Sequence, residues 1–209
     1  MLVYALLLPL NLIVSLICYV TNPIVLLFCS EAGELPGILH YWQTWDDSCN
    51  PSDIKEIAPG FLRYDWDRHY YEYRDTTPEL AAAGRDRCYC RVLDPHFTVW
   101  ERFQRYCCRV IWLTRNCGYG FSFWLFGAMI SAGTVEIIDQ IDDERGKKTY
   151  ARVAGEPVWK APFLWKSDRD IIPGWLRWNV FLGWKIDYHA TRDERAMIAG
   201  RIAVKFGRR

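Results

Sequence analysis

Hydrophobic and polar positions divide the chain into an uncharged start, an irregular middle and an alternating end. Residues Leu2–Phe28 contain no Asp, Glu, Lys, Arg or His across 27 mostly apolar positions. A helix needs about 20 such residues to cross the hydrocarbon core of a bilayer. The pattern therefore predicts a membrane-type helix, with Leu10, Leu12, Ile13 and Leu16 as membrane-binding residues.

Two prolines interrupt this run and leave its arrangement open. Pro9 and Pro23 each remove a backbone donor and clash with the preceding turn. One arrangement is a single kinked helix. The other is a helical hairpin, with a helix from about Leu10 to Thr21 and a turn at Asn22-Pro23. A secretory signal peptide fits less well because no basic residue precedes Lys55. A buried helix in a soluble core is the remaining alternative.

The segment from Ser30 to about Pro95 is broken too often by Gly and Pro for long regular elements. Within it, Asp65, Asp67 and His69 alternate, which would group two carboxylates and an imidazole on one face of a strand. Such a set suits a divalent metal or an acid–base pair. A polar surface with local ion pairs, such as Asp67 with Arg68, is the interpretation that this short motif favours.

A helix is predicted from about Thr98 to Thr114, because Thr98 and Glu101 form a capping box. Apolar residues recur through it at helical spacing, and three arginines form a second stripe. A basic amphipathic helix bearing Trp is typical of membrane surfaces. The membrane-binding candidates on it are Trp100, Phe103, Arg102, Arg105 and Arg109. The alternative is a helix packed on a sheet, with a solvated arginine face.

The last third of the chain has the pattern of a β-meander. Trp175–Tyr188 alternates apolar and polar residues, which predicts a half-buried strand with Trp178 and Trp184 inside and Arg177 and Lys185 outside. Residues 198–206 repeat the alternation and should pair with it as a hairpin. Residues 134–138, 148–153 and 158–165 are weaker strand candidates. The uncharged residues 121–133 are expected to form a buried strand or hairpin.

These elements together predict an α+β fold. Its parts are an N-terminal membrane-type helix or helical hairpin, an amphipathic helix and a C-terminal antiparallel β-sheet. The expected organisation is a hydrophobic membrane-associating segment at 1–29, an irregular aromatic and acidic region at 30–95, and the amphipathic helix plus sheet at 96–209.

Charge and cysteine content narrow the functional classes. The net charge is only +1, so no nucleic-acid partner is expected. Eight cysteines are present, and Cys88-x-Cys90 is one residue short of the usual C-x-x-C spacing. Free buried thiols are favoured over a metal site or a disulfide, which stay as alternatives.

The sequence contains no P-loop, no G-x-S-x-G, no G-x-G-x-x-G and no H-E-x-x-H. No catalytic residue and no cofactor is therefore predicted, and an enzyme is the less favoured class.

Several motifs resemble a family of uncharacterised proteins encoded by tailed bacteriophages. They are the apolar start through Asn22-Pro23, Tyr41–Asp47 (YWQTWDD), Phe61–Asp65 (FLRYD), Arg109–Asn116 with Tyr119-Gly-Phe121, and Gly183-Trp-Lys185. The resemblance implies a phage origin and a bacterial host cell, and it implies no activity and no active site.

Three functions follow as expectations. The first is a membrane-associated accessory protein at the inner membrane of the infected host cell, acting through lipid or through contacts with an unknown phage or host protein. The second is a virion component whose apolar N-terminus is buried in subunit contacts. The third is a metal-dependent enzyme that uses Asp65, Asp67 and His69.

Overall fold

The computed structural model describes residues 1–45, 48–50, 59–62, 66–75, 77, 87–172 and 175–206. It confirms the predicted α+β class. The helices are α1 (Leu2–Val25), α2 (Trp66–His69), α3 (Val99–Arg115) and α4 (Tyr119–Trp124), with 3-10 turns at Leu26–Phe28, Gly37–Trp42 and Gly60–Leu62. The strands are β1 (Tyr70–Asp75), β2 (Arg87–Val92), β3 (Ala128–Ile130), β4 (Val135–Asp143), β5 (Gly146–Val153), β6 (Phe163–Ile172), β7 (Leu176–Trp184), β8 (Glu194–Ala196) and β9 (Ile198–Phe206).

The chain forms two compact units. The first contains Met1–Asn11 and Phe126–Arg209, and the second contains Leu12–Leu125. Helix α1 contributes its first residues to one unit and the rest to the other. The three-part organisation expected from the sequence, at 1–29, 30–95 and 96–209, stays a prediction.

Helix α1 is one continuous helix, so the helical-hairpin alternative is wrong. Pro9 and Pro23 both lie on its exposed side. Its last turns are held by side chains: the hydroxyl of Thr21 donates to the carbonyl of Ile17 at 2.7 Å, and Tyr106 donates to the carbonyl of Pro23 at 2.8 Å. Asn22-Pro23 is therefore part of the helix instead of a turn.

The first unit is built on a five-stranded antiparallel sheet in the order β4-β5-β6-β7-β9. The predicted hairpin is confirmed, since β7 pairs with β9 from Leu176 opposite Phe206 to Trp184 opposite Ile198. The strand predicted at 158–165 begins later in the structure, since β6 starts at Phe163. Val158 and Trp159 instead accept hydrogen bonds through their carbonyls from the backbone nitrogens of Met1 and Val3.

The start of α1 covers one end of this sheet. The ring of Tyr4 packs against Phe163 and Trp184, with ring centroids 5.1 and 5.5 Å apart, and its hydroxyl donates to the carbonyl of Ala199 at 2.9 Å. A Cβ at Gly200 would lie 2.7 Å from the side chain of Leu8, so the close approach requires glycine. Trp184 thus packs on the start of α1.

Alternation along β7 is weaker than the sequence suggested. Val180 and Trp184 are buried as expected, whereas Trp178 is only half-buried. Arg177 on the opposite face is also mostly covered, because its Nε lies 2.9 Å from a carboxylate oxygen of Asp168. The strand ends at Trp184, so Lys185 and Tyr188 lie beyond it.

The second unit combines the rest of α1 with α3, α4 and the β1–β2 hairpin. The predicted capping box is confirmed: Thr98 and Glu101 satisfy each other's backbone N–H groups at the start of α3. Its core joins the end of α1 to the inner face of α3 through buried Val25, Leu26, Cys108, Trp112 and Leu113.

Residues 121–133 do not form the expected buried strand or hairpin. Gly118 adopts a left-handed conformation, at φ 72°, and starts the short helix α4, while only Ala128–Ile130 is extended. The absence of charge in this stretch did not distinguish a short buried helix from a strand.

Candidate membrane-facing surface

The outward side of α1 is almost entirely apolar. Leu16 is 66 % exposed and Val20 is 67 % exposed, although both are large aliphatic side chains. The other large exposed side chains on α1 and the turn after it are Leu2, Leu6, Leu10, Leu12, Ile13, Ile17, Tyr19, Ile24, Leu27 and Phe28. The predicted residues Leu10, Leu12, Ile13 and Leu16 all lie on this surface, which we call the α1 face.

The inward side of α1 carries the polar residues. Tyr4, Asn11, Cys18 and Asn22 are buried at the spacing of one helix stripe, and Asn22 is only 1 % exposed. A helix on a water-soluble domain has the reverse arrangement, with apolar residues inside and polar residues outside.

Side chains and backbone of the second unit hydrogen-bond to α1 beside this stripe. The indole N–H of Trp42 donates to the hydroxyl of Thr21 at 2.8 Å, and the thiol of Cys117 donates to the carbonyl of Ser15 at 2.9 Å. A Cβ at Gly118 would lie 2.6 Å from the hydroxyl of Ser15, so backbone and helix approach closely there. Residues of the second unit therefore contact α1 from Ser15 to Pro23.

Aromatic side chains also face outward at the start of α3. The rings of Trp100 and Phe103 stack with centroids 5.4 Å apart, and both side chains are about half exposed. Arg102 lies beside them and is exposed. The predicted surface residues Trp100, Phe103 and Arg102 are therefore accessible.

Arg105 and Arg109 are buried, which corrects their prediction as surface residues. Arg105 forms an ion pair with Glu31, donates to the hydroxyl of Tyr70, and lies 4.1 Å from the ring centroid of Phe97. A guanidinium has five donors in a planar fork, and here that fork is used for internal hydrogen bonds.

Arg109 is held by neutral acceptors. Its Nε donates to the side-chain oxygen of Asn50 at 2.7 Å, and its Nη2 donates to the carbonyls of Ser30 and Glu31 at 3.0 and 3.1 Å. These partners lie 59 to 79 residues away in sequence, so no local pattern indicated them.

The two arginines also set the charge of Glu31. Partial burial opposes ionisation of this carboxyl, but the hydrogen bond and charge of Arg105, helped by Arg109, outweigh burial and lower its pKa. Burial raises the pKa of Tyr70, which therefore remains a neutral hydrogen-bond partner.

The proposed metal patch is only partly within the described residues. Asp65 lies outside them, and the structure describes only the backbone of Asp67. The alternation would group these residues only in a strand, whereas Trp66–His69 is a helical turn. His69 is buried, with its Nδ1 2.8 Å from the carbonyl of Asp94 and its Nε2 3.5 Å from a carboxylate oxygen of Glu101. A metal role for the patch stays a prediction, and the described part of the chain groups no three His, Cys, Asp or Glu suited to a metal ion.

A separate cleft of about 610 Å³ lies on the sheet face opposite Tyr4. Its charged lining side chains are Asp142, Lys147, Lys166, Asp168, Lys185 and Asp187. Three lysines face three aspartates, and Lys147 pairs with Asp142 at 2.7 Å. The lining of the cleft therefore carries equal numbers of positive and negative side chains.

Comparison with known proteins identifies a family. A model described as a family of unknown function, DUF7338, matches residues 1–207. The chain belongs to DUF7338. The DUF7338 match includes α1, α3 and the five-stranded sheet, and the description assigns no activity or active site. No curated protein and no solved structure matches the chain.

The polar stripe of α1 was missed from the sequence of this DUF7338 member, although a signal for it exists. Tyr4, Asn11, Ser15, Cys18 and Asn22 recur three, four or seven positions apart within an otherwise apolar run. The length of the apolar run is the stronger signal, and it masks this periodicity. The helix is long and apolar enough to cross a membrane, and a signal sequence can have the same length and composition.

Proposed function

We propose that this protein is a non-enzymatic, membrane-associated protein that binds a lipid surface through the α1 face. The observation that supports the proposal is the reversed pattern of α1, with polar residues buried and large aliphatic residues exposed. Exposure of such a surface to water is unfavourable, because burying one aliphatic side chain lowers the free energy by about 1.5–3 kcal/mol. Exposed apolar surfaces of this size mark interaction sites.

The contacts of α1 favour a helix that lies in the membrane interface over one that crosses the bilayer. Within the second unit, the backbone at Cys117 and Gly118 lies against Ser15, in the middle of the helix. Within the first unit, strands lie against Tyr4 and Leu8. Non-helical backbone and charged sheet surfaces are excluded from lipid. An interfacial helix instead buries its apolar face about 5–10 Å deep and keeps the other face on the protein.

The start of α3 supplies a second contact of the kind that membrane interfaces favour. Trp and Phe rings with a neighbouring basic residue are typical of interfacial binding, since the ring enters the headgroup layer and the cation meets anionic lipid. Trp100, Phe103 and Arg102 meet this description, whereas Arg105 and Arg109 do not.

The biological setting that we propose is an accessory role at the inner membrane of a phage-infected bacterial cell. The sequence motifs that resemble phage proteins support this setting. Besides lipid, the proposal includes an unknown phage or host protein as partner, and it includes no nucleic acid, since the net charge is close to neutral.

Vesicle flotation tests the proposal. The full-length protein is mixed with vesicles of phosphatidylethanolamine and phosphatidylglycerol after detergent removal, and the fraction that floats is measured. Leu16→Glu combined with Val20→Glu should lower the partition coefficient by about 100-fold or more, because two apolar contacts are lost. Ile202→Glu is the matched control, since Ile202 on β9 is 64 % exposed and should leave flotation unchanged.

Two results would contradict the proposal. One is a parent protein that stays at the bottom of the gradient with vesicles present. The other is a double variant that floats as well as the parent while its circular dichroism melting curve is also unchanged. A parent that is soluble without vesicles as a defined multi-copy assembly would support the virion alternative, with the α1 face buried between subunits.

A further inference from the structure

Two cysteines of the second unit meet just beyond the end of α1. Cys29 follows the 3-10 turn, where its backbone N–H donates to the carbonyl of Leu26 at 3.2 Å, and its side chain is partly exposed. Cys49 is 0 % exposed, and its backbone N–H donates to the carbonyl of Gly33 at 2.8 Å. Cys29 packs against the core cluster that contains Cys49, and a hydrogen bond between the two thiols shifts the pKa of each.

Arg109 binds the residue that follows each of these cysteines. Its guanidinium binds the carbonyl of Ser30, the residue after Cys29, and the side chain of Asn50, the residue after Cys49. The two chain segments that carry the thiols are therefore attached to one buried side chain. The arrangement differs from that of Cys107 and Cys108, which are adjacent on α3.

We propose that Cys29 and Cys49 form a redox-active dithiol, in which Cys29 is the nucleophile and Cys49 is the resolving thiol. A partly exposed cysteine beside a buried one allows an external disulfide to reach the first sulfur and excludes it from the second. Reactive cysteines occur in such partly exposed, electropositive surroundings. This inference is independent of membrane binding.

The difference in exposure assigns these roles, because Cys29 is partly exposed and Cys49 is buried, and the surroundings of the two thiols support the assignment. The hydrogen bond from Cys49 is the main factor that lowers the pKa of Cys29; burial opposes it, Arg109 and Arg105 assist it, and Glu34 opposes it. The hydrogen bond with Cys29 and complete burial raise the pKa of Cys49. Cys29 is consequently the first of the two to form the thiolate that attacks.

The reaction balances as thiol–disulfide exchange with a small-molecule disulfide of the glutathione class. The Cys29 thiolate attacks one sulfur of that disulfide, forms a mixed disulfide and releases one thiolate. Cys49 then loses its proton to that released thiolate and attacks the Cys29 sulfur, which expels the second thiolate. The second released thiolate takes up the proton that Cys29 lost at the start. Two electrons have then passed from the protein dithiol to the external disulfide, which is released as two thiols.

Alkylation of the unmodified full-length protein is the first test. Cys107 is the internal control, because it is also partly exposed but burial raises its pKa. At pH 7, iodoacetamide should modify Cys29 on the order of 10-fold faster than Cys107, as measured by peptide mass spectrometry. Equal rates, or a faster Cys107, would overturn the assignment of Cys29 as nucleophile.

Oxidised glutathione is the second test. In the parent protein, peptide mapping should find a Cys29–Cys49 disulfide. Cys49→Ser should stop the reaction at a Cys29–glutathione adduct, and Cys107→Ser should behave as the parent. Absence of the disulfide in the parent, or linkage of Cys29 to another cysteine, would overturn the proposal without any variant having to fold.

Discussion

Trp42 donates its indole N–H to the hydroxyl of Thr21 at 2.8 Å, on the buried side of α1. The hydroxyl in turn donates to the carbonyl of Ile17, so one side chain joins the helix backbone to the rest of the second unit. Thr21 precedes the buried Asn22, so polar groups of this part of α1 meet protein.

Thr21→Val should therefore destabilise the protein despite its higher hydrophobicity. The change leaves the partly buried N–H of Trp42 without its acceptor, which costs about 1 kcal/mol. Chemical denaturation in detergent micelles measures the free energy of unfolding. Thr21→Ser keeps the hydroxyl and should cost less than the Val variant; equal stability of the Val variant and the parent would show that the stripe does not need polar contacts.

The sheet gives a second comparison of matched residues. Trp184 is 2 % exposed, packs on Tyr4 and donates its N–H to the carbonyl of Phe126 at 3.2 Å. Trp184→Ala should cost about 3–5 kcal/mol. Trp178 is half-buried on the same face, so Trp178→Ala should cost clearly less. A larger loss for Trp178 in urea denaturation would mean that α1 does not cover the Trp184 end of the sheet.

Arg102 and Arg109 should separate membrane binding from stability. Arg109→Met removes the donors that reach Asn50 and two carbonyls, so unfolding should become easier by about 1–3 kcal/mol or more. Arg102→Met should change stability by no more than about 0.5 kcal/mol. In flotation with anionic vesicles, Arg102→Met should weaken binding by about 1 kcal/mol, or roughly fivefold. A stability loss confined to the Arg102 variant would show that Arg102, and not Arg109, is on the buried side of α3.

The capping box predicts a dependence of stability on pH. Hydrogen bonds from the backbone and hydroxyl of Thr98, with smaller help from His69 and Arg68, lower the pKa of Glu101 to about 2. Because the folded pKa lies below the unfolded value of about 4.3, the carboxylate stabilises the fold above that value. This contribution declines as the pH falls from about 4.3 to 2 and is absent at lower pH.

Unfolding free energies of the parent and Glu101→Gln across this range measure the effect. The difference between the two proteins should be largest above pH 5 and should shrink towards pH 2. A difference that stays constant with pH would mean that the ionised carboxylate does not contribute to the cap.

The sequence predicted what depends on local pattern. Three features are visible within one stretch of chain each: the length of the uncharged run, the spacing of the Thr98–Glu101 capping box and the alternation in β7 and β9. The division of Phe121–Gly133 into a short helix and a short strand was missed, because a lack of charge indicates burial without indicating a period.

The arginine stripe of α3 shows the other limit. Arg102, Arg105 and Arg109 share one helical periodicity, yet only Arg102 is exposed. The residues that bind the other two, such as Glu31 and Asn50, lie far away in the chain. Burial of a charge depends on such distant partners, since an unpaired guanidinium would not be buried. Local periodicity therefore identified the stripe and misplaced two of its members.

The depth of α1 in lipid distinguishes a helix in the membrane interface from one that crosses the bilayer. Vesicles carry photoactivatable lipids with the diazirine either near the headgroup or at the end of the acyl chain, and the labelled peptides of α1 are identified after illumination. A helix in the interface should be labelled by the headgroup-proximal probe at Leu6, Ile13, Val20 and Ile24 alike. Labelling of Ile13 and Leu16 by the chain-end probe, with Leu2 and Phe28 labelled only by the headgroup-proximal probe, would show that α1 crosses the bilayer. That result would contradict the proposal that α1 lies in the membrane interface.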